Sequence, residues 1–354
     1  MEGNDKQTEP APGNRTEITD LGEFGLIQHL TKNIQVKNKT TLKGVGDDAA
    51  VIRKDNKEVY VVTTDLLIEG IHFDMMYHPM QHLGYKSVMV NLSDICAMNA
   101  TPSQITVSLA ISNRFSLESM EELYEGIIAA CEKYNVDLIG GDTTSSQKGL
   151  IISITAIGIA EEKNLTYRDT AKIGDLICVS GDLGAAYIGL QILEREKQIF
   201  LENPDIQPDL EEEKYVVGRQ LMPEARLDII DILEDLRIQP TAMIDISDGL
   251  SSDLLHICTS SGAGCRIYEE KIPIAQETRD RAMKFNLAPI TTALNGGEDY
   301  ELLFTIDPAD LDKIQHHPDF SIIGHLTKPA DGFKLITVSG NHVDLKAQGW
   351  DSFK

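Results

Sequence analysis

The stretch Met243-Ile244-Asp245-Ile246-Ser247-Asp248-Gly249-Leu250 sets two carboxylates and a hydroxyl between an apolar, strand-like start and a helical pattern. A strand end feeding a helix start is where many α/β proteins place their chemistry. One reading is purely structural: Ser247 or Asp248 caps the helix, whose positive end favours negative charge. The other reading is chemical, because similar acidic segments recur. Asp48 lies in Gly46-Asp47-Asp48-Ala49-Ala50, Asp65 follows Thr63-Thr64, and Asp94 follows Asn91-Leu92-Ser93. Asp142 stands between Gly140-Gly141 and Thr143-Thr144. If the fold gathers several of these acids, like charges raise one another's pKa and oppose folding unless cations intervene. Hard oxygen ligands suit Mg²⁺, which binds one or two carboxylates together with substrate phosphates. Neighbouring glycines let a phosphate approach the backbone. Phosphoryl transfer is the chemistry that most needs metal charge and least needs covalent help.

The usual phosphate-binding signatures are missing. There is no GxxxxGK[ST] loop and no protein-kinase set, so ATP would be held through metals and backbone rather than a lysine cradle. Gly44-Val45-Gly46-Asp47-Asp48-Ala49 matches GxGxxA, but no apolar strand precedes it and two aspartates would face a pyrophosphate. The net charge of −24 opposes nucleic acid or an anionic membrane as partner. No apolar run approaches the ~18 residues of a membrane span. Residues 1–20 lack the apolar core of a signal peptide and are expected to form a disordered leader. Cys96, Cys131, Cys178, Cys258 and Cys265 show neither CxxC nor zinc spacing, which fits buried thiols in a reducing cytoplasm.

The acids need elements to carry them. At 354 residues the chain has room for two domains, with a boundary near residues 160–172. Periodicity predicts a helix over 21–31, a strand over Val59–Thr63 ending at Asp65, and a helix from about Pro79 to Met98. Asn91 and Asp94, three apart, share a face of that helix. A strand at 105–111, a helix at 117–134 and a short strand at 136–139 follow, the last ending at Gly140–Thr144; a strand at 151–159 closes the first half. The second half reads as a strand at 175–180, a helix at 185–195 and an exposed acidic loop at 197–214. A helix at 223–236, with Pro223 in its first turn, leads to the opening stretch and a helix to about Ser260. The rest reads as strand 264–268, helix 276–285, strand 302–306 and strands at 321–324 and 334–338.

Taken in order, seven segments resemble the thiamine-monophosphate kinase family. It belongs to a superfamily with aminoimidazole ribonucleotide synthetase and selenophosphate synthetase. The segments are Gly46–Ala50, Thr63–Asp65, Gly70-Ile71-His72-Phe73, Val90–Asp94, Leu138–Thr144, Ile244–Leu250 and Gly296-Gly297-Glu298-Asp299-Tyr300-Glu301-Leu302. Singly they are weak; as an ordered set from about Gly22 to Trp350 they are specific. The resemblance implies a two-domain α+β or α/β fold: an N-terminal β-sheet domain with helices (21–165) that dimerises and a C-terminal α/β domain (166–354). The ATP site would lie in the cleft between them. It implies a cytoplasmic homodimeric enzyme that phosphorylates thiamine monophosphate with ATP by direct, in-line, Mg²⁺-assisted transfer. Carried over by position, Asp48, Thr63, Thr64, Asp65, Asp94, Asp142, Asp245 and Asp248 would bind several Mg²⁺ ions. Tyr124, Gly141, Asp142, Arg168 and Ser247 would contact ATP, and His72, Glu298 and Trp350 the thiamine moiety. The acceptor is a phosphate already ionised at neutral pH, so no general base is required, although His72 is a candidate. Two rivals are a superfamily member with another acceptor and a non-catalytic metal-binding scaffold. No cysteine precedes Cys96, which opposes a selenophosphate synthetase.

Overall fold

The computed structural model describes Ile18 and residues 21–348, so the rest of the expected leader and Trp350 lie outside the described residues. Helix α1 (Gly22–Thr31) belongs to a unit separate from the chain that begins at Val36. From there β1 (Thr41–Lys43), β2 (Ala50–Arg53), β3 (Glu58–Ile68), β4 (Thr101–Ile111), β5 (Asp137–Ser145) and β6 (Ile151–Glu161) form one sheet in the order β1-β2-β3-β6-β4-β5. All its pairs are antiparallel except β4 with β5. Val59, Val61, Leu67, Val107, Ile152 and Ile154 bury one face of the sheet. Helix α2 (Met80–Ala97) packs on that face and α3 (Leu117–Tyr134) packs on α2. Ser116 caps α3 by accepting from the Ser119 amide at 3.2 Å, and Asn135 ends it in the left-handed region. The α2–α3 crossing requires glycine: a Cβ on Gly84 would stand 1.9 Å from the Leu123 carbonyl oxygen, and one on Gly126 1.8 Å from that of Gln81.

The second sheet takes β7 (Leu176–Ser180), β8 (Ala242–Asp245), β9 (Gly264–Tyr268), β10 (Leu302–Ile306), β11 (Phe320–Thr327), β12 (Phe333–Ile336) and β13 (His342–Asp344). Their order is β13-β12-β9-β11-β7-β10-β8, with only β9 and β12 parallel. Its helices are α4 (Ala185–Glu202), α5 (Lys214–Leu221), α6 (Leu227–Asp235), α7 (Leu250–Ser260), α8 (Gln276–Lys284), α9 (Pro289–Asn295) and α10 (Leu311–Ile314). One apolar cluster runs through both halves, joining Val61, Leu92 and Ile154 to Cys178, Met243 and Phe304. Two sheets with helices, one in each half, match the expected fold class.

Several boundaries differ from those that periodicity predicts, each for a tertiary reason. β3 continues to Ile68, paired with β6 along its length, so Thr63–Asp65 lie within a strand rather than at its end. Gly140–Thr144 are likewise strand, because Gly141 lets β5 approach β4: a Cβ there would stand 1.7 Å from the Val107 carbonyl oxygen. α4 runs past the expected loop start because Glu194 accepts from Tyr77 at 2.7 Å and pairs with Lys197 at 3.4 Å. α5 occupies the end of the expected acidic loop. Residues 223–226 do not join α6 because they bind elsewhere. Glu224 accepts from Tyr85 at 2.8 Å and Tyr134 at 2.7 Å, and Arg226 pairs with buried Glu301.

Candidate active site

Strand alternation turns Thr63 and Asp65 toward α2, whose Asn91 and Asp94 face them. Asn91 accepts from the Asp65 amide at 3.0 Å and donates to the Ser87 carbonyl at 3.0 Å. Thr63 donates to Asp94 at 2.5 Å. From the second sheet, β8 ends on Asp245, which is 3% exposed and accepts from Ser93 of α2 at 2.6 Å. Asp48 enters from the loop before β2, where Arg168 pairs with it and also lies 3.4 Å from Asp47. One ligand atom each from Asp48, Asp94 and Asp245 lies within 4.8 Å of the others. Asn91 and Ser93 are site residues that motif reading quoted without assigning.

The electrostatics of this group are unbalanced. Burial pushes Asp48 up to about 8, against Arg168, with Asp245 and Asp47 pushing further. Burial and then Asp245 raise Asp65 to about 6. Asp94 is driven well above the usual carboxylate range by burial, then by Asp65, Asp245 and Asp48. Asp245 is raised by burial despite the Ser93 hydrogen bond. Lys43 Nζ lies 3.3 Å from Asp47 Oδ2, whereas Asp48 keeps one buried carboxylate oxygen with no hydrogen-bond partner. A buried oxygen without a donor and acids that repel one another are the donor set a hard divalent cation satisfies, so Asp48, Asp94 and Asp245 fit Mg²⁺.

The stretch after Asp245 is not capped as expected. Gly249, at φ +118°, is the N-cap of α7, no side chain caps the helix, and Asp253 accepts from the Gly249 amide at 3.1 Å. Ser247 and Asp248 instead sit where the Gly296–Glu301 loop is laced to this segment. The Glu298 amide donates to the Ser247 carbonyl at 2.7 Å, and the Tyr300 amide to Ile246 at 2.9 Å. Gly297, at φ +71°, would place a Cβ 2.7 Å from that same Ser247 oxygen. Glu298 and Tyr300 hold φ of +57° and +51°, a costly conformation for non-glycine residues that recurs at functional sites.

A cavity of about 140 Å³ opens beside the acids, lined among others by Asp65, His72, Asp94, Asp245, Ser247 and Glu298. His72 Nδ1 accepts from the Ile68 amide at 3.0 Å. An accepting Nδ1 goes with a ring proton on Nε2, which leaves Nε2–H as the donor side of His72. Glu298 accepts from Gln220 at 2.6 Å and from Lys86 at 2.9 Å. Tyr300 lines the cavity and stands in the quoted motif without an assigned role, while buried Lys86, which reaches Glu298, is absent from the sequence expectations. A lysine on the helix face of Leu83 and Val90 was the available signal for Lys86.

The other expected residues lie elsewhere. Tyr124, Gly141 and Asp142 line a second cavity, of about 530 Å³, along exposed β5. Asp65 pairs with Ile154, Ile154 with Val107 and Val107 with Gly141, so Asp142 belongs to the neighbouring row on the opposite face. Thr64 also points to that face, donating to the Ile154 carbonyl at 3.1 Å and accepting from Thr155 at 3.1 Å. The expectation that Asp142 shares one cleft with Asp48, Asp65, Asp94 and Asp245 is therefore corrected within a single chain. A period of two separates Thr64 from its neighbours, and two intervening strands separate Asp142 from β3.

Comparisons with known proteins give the chain's relatives. The model of the AIR synthase related protein N-terminal domain matches residues 46–160, and that of the C-terminal domain matches 172–334. A thiamine-monophosphate kinase of Buchnera aphidicola (subsp. Acyrthosiphon pisum) is 36% identical, over 94% of this chain and 98% of its own. That of Escherichia coli K12 is 32% identical, over 94% and 98%. A solved structure of AaThiL complexed with AMPPCP and TMP superposes with a TM-score of 0.81 at 31% identity, covering 96% of this chain and 99% of that one. Two matched domains and near-full-length likeness together place the chain in the thiamine-monophosphate kinase family.

Proposed function

We propose that this chain transfers the γ-phosphoryl group of ATP to the phosphate of thiamine monophosphate, giving thiamine diphosphate. The carrying observation is the junction of two features: the Asp48–Asp94–Asp245 group, and the cavity where Asp65 adjoins His72 and Glu298. Mg²⁺ ions would be held by Asp48, Asp94 and Asp245, with Thr63, Asp65 and Asp248 beside them. Bound there, they would supply the positive charge that lets two phosphorylated substrates approach. Arg168, already paired with Asp48, adds fixed positive charge at the same edge. His72 Nε2–H can donate to the acceptor, and Glu298 can receive a hydrogen bond from it. The attacking phosphate oxygen is ionised at neutral pH, so no residue needs to remove its proton. The test is direct: ATP, Mg²⁺ and thiamine monophosphate should yield ADP and thiamine diphosphate in equal amounts. Absence of thiamine diphosphate would sink the reading.

The place of Tyr124, Gly141 and Asp142 supports a homodimer with shared sites. Within one chain Asp142 is roughly 14 Å from Asp65 across the sheet, at about 4.8 Å per strand, and on the other face. β5 is an exposed edge carrying Leu138 and Ile139, the kind of strand a second copy covers. In a dimer joined through the N-terminal sheets, Asp142 and Tyr124 of one copy would meet ATP held by the acids of the other. No described helix is long and apolar enough to cross a membrane, and all five cysteines are buried free thiols. These features fit action in a reducing cytoplasm.

A further inference from the structure

Lys86 is 1% exposed, in the middle of α2. A buried ammonium is costly unless paired and fully hydrogen-bonded. Its Nζ donates to Glu298 Oε2 at 2.9 Å and to the Gln220 carbonyl at 3.1 Å. Gln220 Nε2 donates to that same Oε2 at 2.6 Å. Two donors thus converge on one carboxylate oxygen, from α2 of the first half and α5 of the second. Oε1 is left as the atom with which Glu298 can meet a ligand, and Glu298 lines the cavity with His72 and Tyr300. The backbone is fixed as well, at φ +57° with the amide bonded to Ser247.

We infer that Lys86 is a positioning residue for the acceptor site: it holds Glu298 Oε2 so that the carboxylate presents its other oxygen to a donor or cationic ring of the acceptor. The aminopyrimidine and thiazolium of thiamine monophosphate are groups of that chemistry, so the inference rests on the proposed function. A purely structural ion pair would tie α2 to the Gly296–Glu301 loop without affecting one substrate selectively.

The experiment measures initial rates against each substrate, with thermal melting, for wild type, Lys86→Met, Lys86→Arg, Glu298→Gln and the Lys86→Met/Glu298→Gln double variant. Wild-type turnover comes first; without it the proposed function fails, and this inference with it. Given turnover, Lys86→Met should raise KM for thiamine monophosphate at least about tenfold, the scale of losing a charged hydrogen bond. The fall in kcat should be smaller, and KM for ATP should stay within about twofold. Lys86→Arg should recover part of the loss, and the double variant should be no worse than the worse single one. Should Lys86→Met fail to fold, Gln220→Met removes the other donor to Oε2 and should show the same selective rise. An unchanged KM for thiamine monophosphate in a folded variant, an equal rise for ATP, or multiplying effects in the double variant would overturn the role of Lys86 and leave the proposed function standing.

Discussion

Asp245 shows how much single residues disclosed. Its neighbours allowed a cap or a ligand, and the fold brings it to Asp48, Asp65 and Asp94 while Gly249 takes the cap position. Acids beside glycines and hydroxyls could be read from the chain, because spacing and residue type carried the signal. Lys86 could not, since a lysine on an apolar helix face declares itself only when its distant partner Glu298 is placed. Asp245→Asn should lower kcat/KM by more than about a hundredfold, as for loss of a metal-binding carboxylate. The same variant should raise the melting temperature of metal-free protein, because it removes one like charge from a buried group. An unstabilised or fully active variant would contradict the ligand role. Asp48 and Asp65, raised from 3.8 to about 8 and about 6, bind protons more tightly folded than unfolded. Asp299, raised by burial to about 7, adds the same sign. Their protonated forms stabilise the fold at low pH, and that contribution is lost as pH rises toward the folded values. Metal-free protein should therefore lose on the order of 4 kcal/mol between pH 6 and pH 8, and saturating Mg²⁺ should abolish most of the slope. Urea melts at both pH values, with and without the ion, check this. His72→Gln should raise KM for thiamine monophosphate more than it lowers kcat; a collapse of kcat alone would restore the base role.

At the scale of elements, helices and strands with a clean period were legible: α3 and β9 fall where periodicity puts them. β5 was legible only in part. Its Gly-Gly reads as a turn, yet Gly141 is what brings β5 against Val107. The residues before α6 and the end of α4 were set by hydrogen bonds and ion pairs with far-off partners, Tyr85, Tyr134 and Glu301 for the first and Tyr77 and Asp74 for the second, which no local pattern contains. The α2–α3 crossing carries a stability prediction. Both helices hold glycine where the other's carbonyl passes, so Gly84→Ala should cost about 1–3 kcal/mol or more. It should also impair turnover, because α2 carries Lys86, Asn91, Ser93 and Asp94. A melting curve unchanged by the substitution would show that the crossing relaxes freely.

For the molecule as a whole, the order of the motifs revealed the two-sheet architecture, and the matched domains span it from residue 46 to residue 334. What the sequence could not reveal was that Asp142 and Asp65 occupy opposite faces of one sheet. That depends on register, where one residue decides the face. A site shared between copies predicts complementation. Asp142→Asn and Asp245→Asn, each nearly inactive, should regain up to about a quarter of wild-type activity when mixed under conditions of subunit exchange, because statistical pairing in a homodimer leaves one intact site per mixed dimer. No recovery between exchanging subunits would confine the site to one chain. The acidic group and the His72–Glu298 cavity should together select a phosphorylated thiamine as acceptor. ADP release should therefore be followed with thiamine monophosphate, free thiamine and an aminoimidazole ribonucleotide precursor in turn, with and without Mg²⁺. Mg²⁺-dependent release should occur with thiamine monophosphate alone; equal release with free thiamine, or none with the monophosphate, would show that the cavity does not select the phosphorylated acceptor.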